Sequence, residues 1–447
     1  MDVLTLGFGT SVVMWAVGFF CRIPGGGIGE DPFTAPPAAD LASLSVIPAS
    51  VLFVLLVLFM LGGGFLAGRL TSRGWRGGLL AGTLSAALNL LIVLGALSNE
   101  ERNSLARSAA FFVPGSIFAG ALLGTLGATI ARVSKSKIEK QKSKSSLSGW
   151  PCAFTVVAAC ATFLLILVGG MVTSFRAGLQ VPDWPNSFGY LMFFYPLSKM
   201  SGGIYFEHSH RLLGTLVGLT TLVLVAYTLA REPRKWLRLF ALAAFGLVLV
   251  QGLLGGLRVT GRLTLSASRA DMAPSSALAV VHGVVAQLFF GVLAAWSAFN
   301  SRAWQDPTPL TARTVRTDWA LQTVLVALLT AQVLVGAVLR HTAHLLHLHI
   351  TVAALAALVG IAAAARAWGL YSRNSIMAAL AKALLLLGGV QVLLGVSALF
   401  TLGFVLERKP SMLLQVIITC SHHIVGVLLL GCATVLMVFS RRLLKPA

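Results

Sequence analysis

The chain has 447 residues, of which 57% are hydrophobic and only 11% are charged. A soluble domain of this size would lack the polar surface needed to cover its core, so the composition excludes a soluble protein and indicates a membrane protein. The net charge of +20 does not indicate a nucleic-acid-binding protein, because Lys and Arg cluster in short loops between long apolar segments.

About twelve apolar segments are each long enough to cross a bilayer as a helix. We predict these spans at 3–21, 46–68, 77–98, 109–131, 152–175, 206–230, 236–258, 277–299, 318–340, 347–368, 376–402 and 413–439. The prediction is an all-α polytopic membrane protein. Because the basic loops recur after every second span, and the first span lacks the pattern of a cleaved signal peptide, we expect a multi-pass protein of the bacterial inner (cytoplasmic) membrane. Both termini are then cytoplasmic, and the spans contact membrane lipid.

The predicted spans fall into three groups. Residues 1–132 form an N-terminal four-helix membrane unit that contains no histidine and has no assigned function. A basic, Ser-rich cytoplasmic linker follows at 133–149. Residues 150–300 and 301–447 are each predicted to form a four-helix transmembrane bundle, and the two bundles are predicted to be pseudo-symmetric.

An internal repeat relates the two later bundles. The sequence QGLLG at 251–255 recurs as QVLLG at 391–395, and a histidine follows 31 residues after each glutamine, at His282 and His422. The sequence HSH at 208–210 recurs as HLH at 347–349. Matched spacing of this kind indicates duplication of one four-helix unit.

Four histidines occupy matched positions in this repeat, and each is predicted near the outward end of a different helix. They are His210, His282, His349 and His422. Two imidazoles at similar depth on the second and fourth helices of a bundle suit a bis-histidine heme. Zinc suits the pattern less well, because no thiolate or carboxylate completes a tetrahedral site.

The other histidines are second choices. His208 and His347 are predicted to point away from the neighbouring candidate ligands on their helices. His423 adjoins His422, and the repeat spacing favours His422. His341 and His344 are predicted to lie in a loop, with His344 as a weak alternative ligand.

The two bundles differ chemically beside these histidines. Glu207 precedes His210 by three residues, so both project from one helical face, and Arg211 follows. The second copy has Leu346 and Ile350 in the positions of Glu207 and Arg211. We therefore predict a reactive site in the first bundle and a structural or electron-transfer heme in the second. The alternative for Glu207 is a salt bridge to Arg211.

Arginines near the candidate ligands are predicted heme contacts. Arg211 and Arg258 are expected to bind the cofactor, and Arg176, Arg258 and Arg262 are alternatives for pairing the heme propionates. Lipid phosphate or water would be equally suitable partners for any one of these three.

Several motifs, in the right order, resemble the heme A synthase family. The resemblance covers about residues 150–440 and rests on GLQVPDWP at 178–185, FFYP at 193–196, EHSHRLLG at 207–214, QGLLGGLRVT at 251–260 and HGVVAQ at 282–287. The N-terminal unit is not a feature of that family.

Members of that family oxidise the C8 methyl group of heme O to a formyl group, giving heme A for terminal oxidases. The resemblance implies that Glu207, His210 and His282 belong to the heme O substrate site and are catalytic. It implies that His349 and His422 ligate a heme B cofactor. Heme O synthase and terminal oxidase assembly proteins are the implied partners.

Rival functions need different residues. A diheme b-type electron-transfer protein would need the same four histidines but not Glu207 or the 182–185 segment. A heme transporter or sensor is a second alternative. Heme O synthase is excluded, because its chemistry needs clustered aspartates and those of this chain are isolated.

Overall fold

The computed structural model describes residues 1–22, 47–99, 104–135, 149–261, 273–402 and 412–446. Arg262 and most of the predicted 133–149 linker lie outside these ranges.

The described residues form thirteen α-helices. Their bounds are α1 (Asp2–Cys21), α2 (Ala49–Leu70), α3 (Trp75–Ala96), α4 (Ala109–Lys135), α5 (Trp150–Ser174), α6 (Gly202–Arg231), α7 (Lys235–Thr260), α8 (Ser276–Asn300), α9 (Arg302–Gln305), α10 (Val315–Thr342), α11 (Leu346–Tyr371), α12 (Ser375–Thr401) and α13 (Met412–Leu443). Two short 3-10 helices, Met192–Phe194 and Leu197–Lys199, lie between α5 and α6.

Four very short strands complete the described secondary structure. Strand β1 (Ser98–Asn99) pairs antiparallel with β2 (Ser104–Leu105), and β3 (Leu310–Ala312) pairs parallel with β4 (Leu444–Pro446).

Every α-helix except the short α9 is long and apolar enough to cross a membrane, which gives twelve candidate spans in the described chain. The prediction of an all-α polytopic membrane protein with about twelve spans is confirmed. The helices extend past several predicted segments, because a helix end tolerates polar residues that an apolar window excludes. Helix α6, for example, begins at Gly202 rather than at 206.

The chain divides into two compact units. The first contains Met1–Leu224 with Val259–Ala273, and the second contains Val225–Arg258 with Pro274–Ala447. Helices α1–α5 and most of α6 therefore belong to the first unit, and α8–α13 with most of α7 belong to the second. The division into bundles at 150–300 and 301–447 rests on the sequence repeat and stays a prediction.

Within the first unit, glycines allow α2 and α3 to pack closely against α4. A Cβ atom at Gly64 or at Gly78 would clash with the backbone carbonyl of Gly124. Small residues permit such close approach between membrane helices. Polar contacts join α1 to α3, where the Trp15 indole N–H donates to Asn89 Oδ1 at 2.9 Å.

Within the second unit, a buried carboxylate ties the start of α10 to the end of α11. Asp318 is 2% exposed and accepts hydrogen bonds from Arg366 Nε at 2.8 Å and from the Tyr371 hydroxyl at 2.6 Å. A buried charge of this kind is tolerated because it is paired and hydrogen-bonded.

Candidate functional site

The four candidate ligands share one position in the fold. Each lies in the N-terminal part of its helix, as the sequence predicted, and each helix follows a partner in the chain to form a helical hairpin. The hairpins are α5–α6 with His210, α7–α8 with His282, α10–α11 with His349, and α12–α13 with His422.

In all four hairpins the imidazole lies against a glycine on the preceding helix. A Cβ atom on that glycine would lie unusually close to the imidazole Cε1. The distances are 2.8 Å for Gly169 and His210, 3.1 Å for Gly255 and His282, 3.0 Å for Gly336 and His349, and 3.1 Å for Gly395 and His422. We call each of these contacts a glycine seat.

A glycine seat leaves room for a flat ring directly against a helix backbone. Any larger residue would push the ring away, since interiors are close-packed and tolerate little added volume. The same contact in four hairpins shows that the duplicated element is a seated histidine. The sequence repeat contained the glycines, but their relation to the rings was missed.

Three of the seats also carry a glutamine one helical turn before the glycine. The Gln251 amide Nε2–H donates to the His282 carbonyl at 2.8 Å. Gln332 Nε2 lies 3.0 Å from His349 Nδ1, and Gln391 Nε2 lies 3.4 Å from His422 Nε2. The α5–α6 hairpin has Leu165 in the equivalent position.

Sequence reasoning used Gln251 and Gln391 to define the repeat but missed Gln332. The signal that would have found it is the spacing QVLVG at 332–336, which matches QGLLG and QVLLG. The motif therefore occurs three times, once in each hairpin of the second unit.

His349 and His422 are the residues that would hold one heme iron between them. Their ring centroids are 6.3 Å apart, with the ring planes at 70°. This separation is compatible with one ion bound by both rings, since a metal–imidazole bond is about 2 Å long. In the described chain, His422 Nδ1 is buried without a hydrogen-bond partner. The His422 ring lies near that of His349. The choice of His422 over His423 as a ligand stays a prediction.

Among the described residues, no group of three or more His, Cys, Asp or Glu side chains could hold a metal ion. The Oε1 atoms of Gln332 and Gln391 are buried and have no partner in the part of the chain that the structure describes. Turning either amide would offer this carbonyl to the ring N–H of a ligating imidazole. His210 and His282 belong to different units, and their pairing stays a prediction.

Glu207 is buried and both of its oxygens are hydrogen-bonded. Oε2 accepts the backbone N–H groups of Gln180 at 2.7 Å and of Val181 at 2.9 Å. Oε1 accepts from Arg211 at 2.9 Å. The i,i+4 salt bridge that the sequence offered as an alternative is therefore present. The catalytic role of Glu207 stays a prediction.

Arg211 extends this network into the α5–α6 loop, residues 175–201. Its guanidinium donates to the backbone carbonyls of Val181 at 3.0 Å, Asp183 at 2.5 Å and Asn186 at 2.9 Å. We call Glu207, Arg211 and the loop backbone at 180–186 the clasp. Its charges are paired in a buried site, where removing one partner is strongly destabilising. Cofactor binding by Arg211 stays a prediction, since here the side chain holds the loop.

The loop folds back on itself beyond the clasp. Asp183 accepts the backbone N–H groups of Phe188 at 2.7 Å and Gly189 at 2.8 Å. His208 is buried beside it, with Nδ1 3.1 Å from Ser187 Oγ and its ring 5.0 Å from that of Tyr195. His208 thus faces the loop, whereas His210 faces Gly169, so the two rings point in different directions. Burial raises the pKa of Tyr195 to about 12, with smaller contributions from Tyr190 and Asp183.

The remaining predicted residues have varied surroundings. Arg258 is half-buried in the last turn of α7, where its carbonyl accepts the Ser275 N–H at 3.0 Å, and Arg176 is exposed in the α5–α6 loop. The loop assignment was wrong for His341, which lies in the last turn of α10 because the helix continues to Thr342. His344 does lie in the α10–α11 turn.

The fold and these hairpins define a multi-pass α-helical membrane protein with histidines seated on paired helices. The family model described as cytochrome oxidase assembly protein, COX15-CtaA, matches residues 192–351. The resemblance to the heme A synthase family is thereby confirmed for this segment, which contains Glu207, His210, His282 and His349. A search of curated proteins found no match to the chain.

Proposed function

We propose that the protein is a heme A synthase, an oxidoreductase that converts the C8 methyl group of heme O to a formyl group during cytochrome oxidase assembly. The observation that carries the proposal is the match of residues 192–351 to that family, and the glycine-seated histidines of four hairpins supply the positions for heme ligands. Neutral imidazoles in apolar surroundings suit a heme iron.

In this proposal His349 and His422 ligate a heme B cofactor. Their ring separation and the two glycine seats support the assignment. Gln332 and Gln391 orient the two imidazoles, as outer partners of metal-ligating histidines commonly do. Heme B, when bound, supplies one-electron chemistry and so a route for electrons that leave the substrate.

His210 and His282 ligate the substrate heme O, and Glu207 lies one helical turn from His210. Oxidising a methyl group to a formyl group with water as the source of the oxygen atom releases four protons and four electrons, and the electrons pass to an electron acceptor of the membrane. Glu207 accepts a proton in this scheme, since it is the carboxylate nearest in sequence to a proposed substrate ligand. Its bonds to Arg211 and to two loop amides fix the position of the carboxylate.

The proposal includes the cellular setting. The spans belong to the bacterial inner membrane with both termini in the cytoplasm, so that the α5–α6 loop lies on the outer side. Heme O synthase is the expected source of substrate, and terminal oxidase assembly is the expected destination of the product.

A diheme b-type electron-transfer protein is the second candidate. The observation that favours it is the clasp, because a carboxylate with both oxygens engaged is also what a purely structural Glu207 would show. The four glycine seats serve either function equally.

Co-expression with a heme O synthase, followed by extraction and chromatography of the hemes, tests the proposal. We expect heme A from the wild-type chain, and heme O with a normal total heme content from Glu207→Ala. Glu232→Ala is the matched control, since this acid pairs with Arg234 in the α6–α7 connection. Heme O alone from the wild type would favour the electron-transfer protein. Normal heme A from Glu207→Ala would remove that residue from the mechanism.

A further inference from the structure

We propose that the N-terminal four-helix unit, α1–α4, acts together with the clasp to hold the α5–α6 loop in place and so positions Glu207. The family match begins at residue 192 and does not include this unit. Helices α1–α4, the loop and the start of α6 all belong to the first compact unit.

The first contact is made by the C-terminal end of α1. The Phe19 carbonyl accepts a hydrogen bond from the Tyr205 hydroxyl at 2.7 Å, and the two rings are stacked with centroids 5.4 Å apart. The Phe19 ring also meets Phe206 edge-on at 6.2 Å. Tyr205 and Phe206 immediately precede Glu207 in α6, so α1 is packed against the turn that carries the carboxylate.

The second contact is made by the C-terminal end of α3. A Cβ atom at Gly95 would lie 2.6 Å from the Tyr195 carbonyl and 3.4 Å from the Leu197 side chain, so the loop lies directly on the helix. The Tyr195 ring in turn stacks on Phe188, with centroids 5.5 Å apart, and contacts His208. Helix α3 therefore contacts Tyr195, and Tyr195 contacts His208, the residue that follows Glu207.

The N-terminal half of α1 also contacts α5, the helix that precedes the loop. The Phe8 and Phe154 rings meet edge-on at 5.5 Å, and the Thr5 hydroxyl lies 3.5 Å from the Trp150 carbonyl. The N-terminal unit thus contacts the start of α5 and the start of α6 through α1, and the loop itself through α3, while the clasp binds the loop at 180–186.

The loop needs such support because its own secondary structure is slight. Within 175–201 the described structure contains two 3-10 turns and one isolated bridge, between Ser187 and Tyr190. A long connection of this kind is uncommon in a compact domain unless it is functional. Its amides at Gln180 and Val181 bind Glu207, so any displacement of the loop also displaces the carboxylate.

Hydrogen exchange measured by mass spectrometry on the full-length protein tests this role. The variants are Phe19→Ala, which removes the ring contacts of α1 with Tyr205 and Phe206 but keeps the Phe19 carbonyl, and Gly95→Ala, which inserts a methyl group at the α3 contact. We expect amide exchange across 176–201 to be about tenfold faster or more, a change that corresponds to a loss of about 1.4 kcal/mol in the local opening free energy. Exchange in α10–α13 should stay at the wild-type rate.

Two matched controls carry the same changes at sites without these contacts. Phe20→Ala alters the neighbouring ring, which is 40% exposed, and Gly62→Ala adds a methyl group where nothing lies within 4 Å. Loop exchange in Phe19→Ala and Gly95→Ala that matches the two controls would overturn the proposal. So would faster exchange confined to α1–α4 with an unchanged loop.

The exchange readout needs no heme and is therefore independent of the proposed function. Faster loop exchange in the variants of a protein that makes no heme A would support this inference and reject the proposed enzyme. Unchanged loop exchange in a protein that does make heme A would support the enzyme and reject this inference. If both proposals hold, Phe19→Ala should lower heme A output while the total heme content is kept.

Discussion

The α5–α6 and α10–α11 hairpins keep the same seated histidine but differ in the chain that joins their helices. Gly169 seats His210 and Gly336 seats His349 with nearly the same spacing. The first connection, 175–201, is long and held by the clasp. The second is a tight turn at 343–345, in which Ala343 and Leu345 have left-handed φ values of 59° and 73°.

The side chains beside the seated histidines also differ between the two hairpins. Glu207 and Arg211 form a buried ion pair in α6, whereas their counterparts in α11 are Leu346 and Ile350, the latter 44% exposed. The glycine seat is therefore the element that the α5–α6 and α10–α11 hairpins have in common. The loop and its clasp are specific to one copy, and they are where a difference in chemistry is to be sought.

Filling a seat should give the largest effect, since it displaces a histidine that the proposed function makes a heme ligand. Gly336→Val and Gly169→Val each place carbon atoms where the imidazole lies, and overpacking of this kind costs about 1–3 kcal/mol. We expect each variant to lose one bound heme, with heme B lost from Gly336→Val. The heme-to-protein ratio and the identity of the extracted heme are the measurements.

Gly388→Val is the control for this pair, because Gly388 lies on α12 with nothing within 4 Å of an added Cβ. It should keep a full complement of heme. Full heme retention in both seat variants would mean that the seats do not define the ligand positions.

Breaking the clasp should have the next largest effect, and only in the first hairpin. Arg211→Met leaves the buried Glu207 carboxylate without its cation, and removal of one partner from a buried pair costs about 3–5 kcal/mol. We expect the 175–201 loop to become sensitive to limited proteolysis. Ile350→Met, at the equivalent exposed position of α11, should change nothing. Equal protease resistance in both variants would show that the clasp does not hold the loop.

Exchanging the residues one turn before the glycines should have a smaller effect. Gln332→Leu gives the α10–α11 hairpin the residue type found in α5–α6, and loss of an outer partner typically lowers metal-site affinity about 10- to 100-fold. We expect weaker heme retention together with altered absorption and electron paramagnetic resonance signals. Leu165→Gln is the reverse exchange and should shift the signals of the other heme. Unaltered spectra in Gln332→Leu would make this glutamine a packing residue only.

The smallest expected effect is an alkaline transition in the loop. Burial raises the pKa of Tyr195 to about 12, above its ordinary value of about 10. The stability that depends on the neutral phenol is therefore complete below about pH 10 and is lost as the pH rises through about 12. Ultraviolet absorbance is titrated against pH for the wild type and for Tyr195→Phe. The difference between the two curves should show the ionisation of Tyr195 near pH 12. A step near pH 10 would place Tyr195 in contact with water.

The spans could be predicted because membrane helices produce long apolar windows that need no knowledge of their neighbours. The four histidines could be found because duplication repeats their spacing. Gln332 was missed because the repeat relates 251–255 to 391–395, and a pairwise repeat does not indicate the third copy at 332–336. His341 was placed in a loop because its polar character outweighed helix continuation.

The contacts of Phe19 and Gly95 with α6 and the loop could not be predicted from sequence at all. They join residues far apart in the chain, and neither a phenylalanine at a helix end nor a glycine in a membrane helix indicates its partner. The clasp could be predicted in part. Its i,i+4 pair was visible, but the loop amides and carbonyls that complete it depend on how the backbone folds.

The glycine seats also limit how the chain can change over generations. Even the smallest side chain at Gly169, Gly255, Gly336 or Gly395 would come within 2.8–3.1 Å of an imidazole carbon, so replacing any of these glycines requires its ring to move. Glycine and histidine are therefore constrained as a pair. If the proposed function holds, a descendant that lost one heme would release both positions together, and the sequence of a single hairpin would record which heme had been lost.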